Sequence, residues 1–438
     1  MTPMRFLAPL AYLCLLLATT IHADEHADAP PASSQTPVTL AELETLMRST
    51  HPASVARQAG YAAAQSLVDQ AAAWPNPELE MEMEDIATDG PGNRLAETSY
   101  AIQLNQPFEL GGKRHRRQQL AAMTAEVQRW ENASAEEDAL AALRECFLAV
   151  LEAQERLALL SAAADSSRKA RDSVAERVRI GKDAPQDLSQ AEMELARQEL
   201  AVLRATKTLV NSRTALLAQV GPHGDVLRDR PIAGDLHALP ALPPLADLIT
   251  RLPDTITWQC AAQAERVADA ELAVEERSAI PDLTLSVGYS YERGSGEHVA
   301  KLGVSLPLPF FDRNRGNRLA ALHGIARTRA EAAATQLALK ADLEQDWLNA
   351  QSAIAAATAM RDGLLAHAQR AFADANESHR QGRSSYLALL SVQQTWQELN
   401  VEYVEALADA HRHLNAIKRL VGQVPPTTSA PAQKDEIQ

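Results

Sequence analysis

The chain has 438 residues, of which 46% are hydrophobic, 23% charged and only 4% aromatic, with a formal net charge of -15. So acidic a balance speaks against a nucleic-acid partner. Scarce large rings beside plentiful Ala, Leu, Glu, Gln and Arg speak against a compact enzyme core and for long, closely packed helices.

Arg5, the apolar run Phe6 to Thr19 and the small-residue site Ile21-His22-Ala23 form a secretory signal peptide over residues 1–23. Its removal takes away one positive charge, Arg5, and moves the net charge from -15 to -16. Cys14 lies within that run behind Leu13, where a lipidation signal wants a small residue, so no lipid anchor is expected. The remaining Cys146 and Cys260 show no CxxC spacing and are read as small hydrophobes rather than a disulfide. No later apolar run is long enough for a transmembrane helix, so entry into a membrane would require a barrel.

After a first helix, the stretch Glu78-Leu79-Glu80-Met81-Glu82-Met83-Glu84-Asp85 alternates carboxylates with apolar side chains. At a strand's period of two, Glu78, Glu80, Glu82 and Glu84 fall on one face and Leu79, Met81 and Met83 on the other. The predicted strand runs from Glu78 to Ile86 and is followed, across the turn residues Thr88 to Asn93, by an alternating strand from Thr98 to Phe108. Lys113 to Ile180 contains no proline and repeats apolar residues at helical spacing, which predicts a helix of roughly 100 Å at 1.5 Å per residue. A second long helix is expected after Pro185, to about Gln219.

The order then recurs. Leu40, Pro77, Pro107, Gly181, Leu188 and Val220 have counterparts at Leu245, Pro281, Pro309, Gly382, Leu389 and Val421, with offsets confined to 201–205. One offset held through the chain marks a tandem duplication. Its second half predicts strands Asp282 to Tyr291 and His298 to Leu308, then helices from about Arg318 to Gln381 and from Ser384 to Leu420. Four amphipathic strands cannot span a bilayer alone, because their edges would leave backbone groups unpaired in hydrocarbon. Two chains would close a barrel filled by side chains and three a barrel with a lumen, so the pattern favours a homotrimer. Glu78, Glu80, Glu82, Glu84, Gln103, Asn105, Asp282 and Lys301 are then the candidates to line a pore, and acidic rings suit cations. A soluble sandwich with a charged outer face would give the same alternation, but not the signal peptide and the exceptional helices.

The segment Gln106-Pro107-Phe108-Glu109-Leu110-Gly111-Gly112-Lys113-Arg114, closing a strand and opening the long helix, resembles that of TolC-like outer-membrane efflux proteins, in particular the cobalt-zinc-cadmium (CzcC-like) branch. Arg179 to Leu188 and Arg380 to Leu387 are similar to that family's tip motifs, and the resemblance covers about residues 38–422. It implies a mainly α fold with a small membrane β part, an α/β-barrel of long coiled-coil helices with four transmembrane strands per chain, completed by trimerisation in the outer-membrane lipid. It further implies a passive duct, not an enzyme, whose tips meet a periplasmic adaptor and an inner-membrane pump of the RND type, with heavy-metal cations as cargo. Drug efflux or type I protein secretion through the same architecture is the nearer alternative; a soluble periplasmic coiled-coil adaptor is one of another class. The expected organisation is a signal peptide 1–23, a periplasmic segment 24–37, a first repeat 38–221, a linker 222–244, a second repeat 245–422 and a tail 423–438.

Under this resemblance Gly181 and Gly382 permit the tight turns at the tips, and Lys182, Asp187, Leu188, Arg383 and Ser384 are candidates for adaptor contact or for setting the turn. Pro185 stands where the family more often has a small or hydroxyl residue. Charges flanking the tips, Arg171, Asp172, Glu176 and Arg179 in one hairpin and Asp374, Glu377, Arg380 and Arg383 in the other, are candidates to hold the periplasmic end shut; a solvated helix face is the plainer reading. Lys113 to Arg117 form a basic cluster suited to lipid headgroups, and Gly111-Gly112-Lys113-Arg114 lacks the spacing of a phosphate loop. No catalytic, cofactor or metal-cage motif is present in the sequence: His411 and His413, two apart in a helix, point to different faces.

Overall fold

The computed structural model describes residues 36–84 and 98–422. The expected signal peptide, nearly all of the 24–37 segment, Asp85 and Ile86, the turn from Thr88 to Asn93 and the 423–438 tail lie outside the described residues.

Each half repeats one order of elements. The first contains α1 (Leu40–Thr50), α2 (Pro52–Ala71), β1 (Glu78–Glu84), β2 (Ser99–Phe108), α3 (Lys113–Arg179) and α4 (Pro185–Val220). The second contains α5 (Leu245–Arg251), α6 (Ile256–Ser278), β3 (Leu283–Glu292), β4 (Glu297–Ser305), α7 (Arg315–Ala359), α8 (Leu365–Arg380) and α9 (Tyr386–Leu420). Local chemistry sets the boundaries. Thr39 caps α1 by accepting from the Glu42 amide, His51 caps α2 by accepting from Ala53, and Pro52 and Pro185 occupy first-turn positions where no amide is missed.

Two sequence expectations are corrected. β4 stops at Ser305 rather than Leu308. Pro307 and Pro309 have no amide to donate, so the ladder ends before them. The helix expected from Arg318 to Gln381 is not continuous: it begins at Arg315 and passes through a π turn, Met360–Leu364, between α7 and α8. Buried Leu343, Ala350 and Ala357 follow a seven-residue repeat, whereas the next inward residues, Phe372 and His379, sit one position later than that repeat requires. A π turn inserts that one residue and re-phases the inward stripe. In α3, Ala153, Ser167 and Val174 remain in phase and the helix is unbroken.

The core is divided along the length of the molecule. Leu43 and Met47 of α1 pack with Leu140, Leu143, Phe147 and Val150 of α3, Leu216 and Val220 of α4, and Leu227 and Ile232 of the linker. The duplication produces a counterpart from Leu248 and Leu252 with Leu339, Leu343, Ala350 and Ile417. The linker is therefore packed, and its Ile232 forms a parallel bridge with Val38. Buried Arg144 joins α1 to α3 by ion pairs of 2.7 Å to both Glu44 and Glu137. Cys146 and Cys260 are free and half-buried; burial, with Glu131 nearby, pushes the Cys260 thiol up to about 11.

Candidate channel wall and helical tips

The strands form one antiparallel sheet in the order β1-β2-β3-β4, so the two halves join at β2 and β3, where Tyr100 pairs with Tyr291 and Phe108 with Leu283. Register decides which side chains share a face. Glu78 pairs with Asn105, Glu80 with Gln103, Glu82 with Ala101 and Glu84 with Ser99, while Gln103 opposes Gly288 and Gly288 opposes Lys301. The four glutamates, Gln103, Asn105, Ser286 and Lys301 thus occupy one face. Asn105 knits it together, donating to Glu80 at 3.0 Å and accepting from Gln103 and Ser286 at 2.7 Å. Asp282 stands apart. It precedes β3 and accepts from Lys113 at 2.8 Å and from the Leu110 amide at 3.2 Å, tying the strand to the start of α3.

The opposite face carries Leu79, Met81, Met83, Tyr100, Ile102, Leu104, Val287, Tyr289, Leu302 and Val304, all exposed, Met81 at 72% and Leu302 at 82%. An uncovered apolar face this continuous marks contact with lipid or with another molecule. Among the described residues the outer edges of β1 and β4 have no backbone partner. Because successive strands alternate in direction, β4 of one chain and β1 of a second copy would run antiparallel, and any number of copies closes with the same pairing.

Gly111 and Gly112 make the sharp passage from sheet to helix at φ of 70° and 74°. The left-handed conformation favours glycine at 111, and a Cβ there would lie 2.3 Å from Cδ1 of Ile280, which would have to turn aside. Glu109 ion-pairs with Arg117 across this turn.

At the far end the helical hairpins turn alike. Gly181 and Gly382 both adopt φ of 74°. The Gly181 amide donates to Val178 and the Lys182 amide to Arg177; Gly382 donates to His379 and Arg383 to Ser378. This double bond pattern is a Schellman cap, repeated in both halves. Asp187 accepts from the Ala184 amide at 3.2 Å, and Leu188 packs on the cluster of Val174, Ala191, Tyr386 and Leu389. The Ser384 carbonyl accepts from Nδ1 of buried His379 at 3.2 Å. Burial pushes the Tyr386 hydroxyl up to about 12.

The charges flanking the tips pair within their own helices: Arg171 with Asp172 at 2.8 Å, Arg179 with Glu176 at 2.5 Å, and Arg380 with Glu377 at 3.8 Å. Asp374 has no ion-pair partner among the described residues. Sequence reasoning missed Arg177, which grips Asp183 through two bonds of 2.7 and 2.8 Å and also donates to the Arg380 carbonyl of the other hairpin at 3.4 Å. That bond to Arg177 holds the Asp183 carboxyl below the ordinary carboxylate range. The signal was a basic and an acidic residue six apart across Gly181, a spacing that no single helix face brings together.

Among the described residues no group of His, Cys, Asp and Glu is arranged to hold a metal ion, and no helix is long and apolar enough to cross a membrane. The sequence profile of the family described as outer membrane efflux protein matches residues 46–222 and 258–423. The cobalt-zinc-cadmium resistance protein CzcC of Cupriavidus metallidurans is 31% identical over 355 residues, covering 81% of this chain and 82% of that protein. The nickel-cobalt-cadmium resistance protein NccC of Alcaligenes xylosoxydans xylosoxydans is 31% identical over 333 residues, covering 74% of this chain and 70% of that one. The solved outer-membrane channel OprN superposes with a TM-score of 0.75 at 17% identity, over 88% of this chain and 90% of its own. The shared architecture is the TolC-like fold.

Proposed function

The chain belongs to the outer membrane efflux protein family, and from that membership we propose that it is the outer-membrane channel of a tripartite efflux system for heavy-metal cations. The observation that carries the channel is the four-stranded sheet at the foot of paired long helices, with its apolar face bare and both edges open. Three copies supply twelve strands. At a strand spacing of about 4.8 Å and a tilt of about 40°, twelve strands close at a backbone diameter of roughly 24 Å, against roughly 16 Å for eight, which side chains fill. The homotrimer therefore encloses water.

In that barrel Glu78, Glu80, Glu82 and Glu84 each form a ring of three carboxylates facing the lumen, while Leu79, Met81 and Met83 face lipid. Stacked acidic rings lower the energy of a cation in the pore and raise that of an anion. Lys301 lies on the row of Glu80 and tempers this field. The chain is passive; a periplasmic adaptor docked at the tips and a proton-driven RND pump in the inner membrane supply cargo and energy. Arg171, Asp172, Glu176, Arg179, Asp374, Glu377, Arg380 and Arg383, which within one chain pair along their own helices or stay unpaired, would hold the periplasmic end shut by exchanging to partners on neighbouring helices of the free trimer. The cargo class rests on the relatives, whose names specify resistance to cobalt, zinc, cadmium and nickel.

The test is growth of a strain lacking this protein, beside a complemented strain, on zinc, cobalt, cadmium, nickel, copper, silver and several hydrophobic antibiotics. Sensitivity confined to certain metals is expected; sensitivity to antibiotics alone would keep the channel and overturn the cargo. For closure, neutralising the eight tip charges should raise single-channel conductance, and unchanged current in the closed state would refute that part.

A further inference from the structure

The end of the sheet nearest the long helices carries a surface that conduction does not use. β4 is followed by Leu306-Pro307-Leu308-Pro309-Phe310-Phe311-Asp312-Arg313-Asn314-Arg315. Leu306, Leu308, Phe310 and Phe311 are all exposed, Phe311 completely. The even-numbered members continue the alternation of Leu302 and Val304, so the apolar stripe runs on past the last ladder bond. At the start of α7 the stripe gives way to exposed Arg313, Arg315 and Arg318.

Among the described residues Arg313, Arg315 and Arg318 have no ion-pair partner. Arg313 donates to the Pro309 carbonyl at 3.3 Å, and ion pairing along α7 begins only with Arg327 and Arg329. The first half has the same composition at the same place: exposed Phe108 and Leu110, then Arg114 lying 4.2 Å over the ring of exposed Trp74. At the head of α3, Lys113 and Arg117 pair with Asp282 and Glu109; at the head of α7, Arg315 and Arg318 oppose the helix dipole with no ion-pair partner among the described residues, so intramolecular electrostatics does not account for those two. Aromatic side chains recur at the other end of the strands, where Tyr289 and Tyr291 stack around His298. β4, from Glu297 to Ser305, is nine residues long, the length with which a tilted strand crosses hydrocarbon. Phe310 and Phe311 then lie at the membrane interface, and the arginines beyond them at headgroup depth.

We propose that this belt is a binding surface for anionic phospholipid headgroups of the periplasmic leaflet, with Arg315 and Arg318 on the phosphate and Phe310 and Phe311 at the acyl boundary. Arginine suits the task because its planar fork meets phosphate oxygens through two parallel bonds. Around a trimer the belt becomes a ring that sets the depth of the barrel and selects phosphatidylglycerol or cardiolipin over zwitterionic lipid. The proposal rests on the channel reading, since it takes the apolar strand face as lipid-facing.

The test uses the full-length trimer carrying Phe311→Trp in vesicles containing brominated phosphatidylglycerol or brominated phosphatidylcholine, with quenching of that tryptophan, four residues before Arg315, measured against the same protein without it. With both arginines in place this reporter protein is expected to prefer phosphatidylglycerol. R315Q/R318Q should lose at least about fivefold of that preference, the factor that one arginine near an anionic surface supplies. R315K/R318K keeps the charge and should keep most of the preference. No preference in the reporter protein, or an unchanged one in R315Q/R318Q, overturns the proposal. Trimer dissociation in both double variants would make the arginines a contact between subunits and overturn it too. Protein that enters no vesicle at all would refute the channel reading along with it.

Discussion

Replacing Arg177 with alanine should loosen the tip of the first hairpin while leaving the four-stranded sheet intact. The guanidinium makes two charge-assisted bonds to Asp183, of 2.7 and 2.8 Å, and the two side chains are 17% and 10% exposed. A hydrogen bond to a charged group contributes about 1.5–3 kcal/mol, but the freed Asp183 carboxylate can recruit water at the end of the hairpin, so we take about 2 kcal/mol for the pair. At 1.36 kcal/mol per decade, local opening becomes roughly thirtyfold more frequent. Hydrogen exchange reads this directly at the Lys182 and Asp183 amides, which both donate to the Arg177 carbonyl. The second hairpin loses only the 3.4 Å bond to the Arg380 carbonyl, so exchange at Gly382 and Arg383 should rise by about fivefold or less. Exchange at Lys182 and Asp183 that matches the wild-type protein would refute the reasoning, because the glycine cap alone would then be holding the turn.

The same pair sets a pH dependence. Arg177 lowers the Asp183 carboxyl below its ordinary 3.8, so its stabilisation is complete above that value and is lost as pH falls through the lower folded value. Tip exchange corrected for intrinsic rates should therefore be flat from pH 5 to pH 8, and a transition within that window would point to another group. Gly111→Ala places a methyl group 2.3 Å from Ile280 and forces a φ of 70°, which should cost about 1–3 kcal/mol and lower the melting temperature of the protein; an unchanged melt would mean that the junction relaxes freely. Exchanging Glu78, Glu80, Glu82 and Glu84 together for glutamine removes every carboxylate of β1 from the polar face. The cation preference measured from reversal potentials in a salt gradient should fall toward neutrality, and an unaltered potential would take those residues off the lumen.

Much of this architecture is local and so was legible beforehand. The alternation of Glu78 to Glu84 with Leu79 to Met83 assigns each side chain to a face whatever the strand pairs with, because the period of a strand is two. Gly181 and Gly382 announce the hairpin turns, since only a residue without Cβ enters the left-handed region cheaply. The π turn was also encoded, as the single-residue slip between Ala357 and Phe372, but it becomes visible only once the buried positions are known.

Tertiary structure decided what joins across distance. Each half predicts its own hairpin, yet the four-stranded sheet exists because β2 meets β3, pairing Tyr100 with Tyr291 through helices that carry both halves to the same level. Asp282 reads as one more acidic residue of a strand until the fold brings Lys113 to it, 169 positions away. Arg177 and Asp183 meet only because a Schellman turn reverses the chain between them. Backbone preference and side-chain alternation act over a few residues and can be read along the chain. Pairing across a hundred or more depends on where long helices end, and that is a property of the packed molecule.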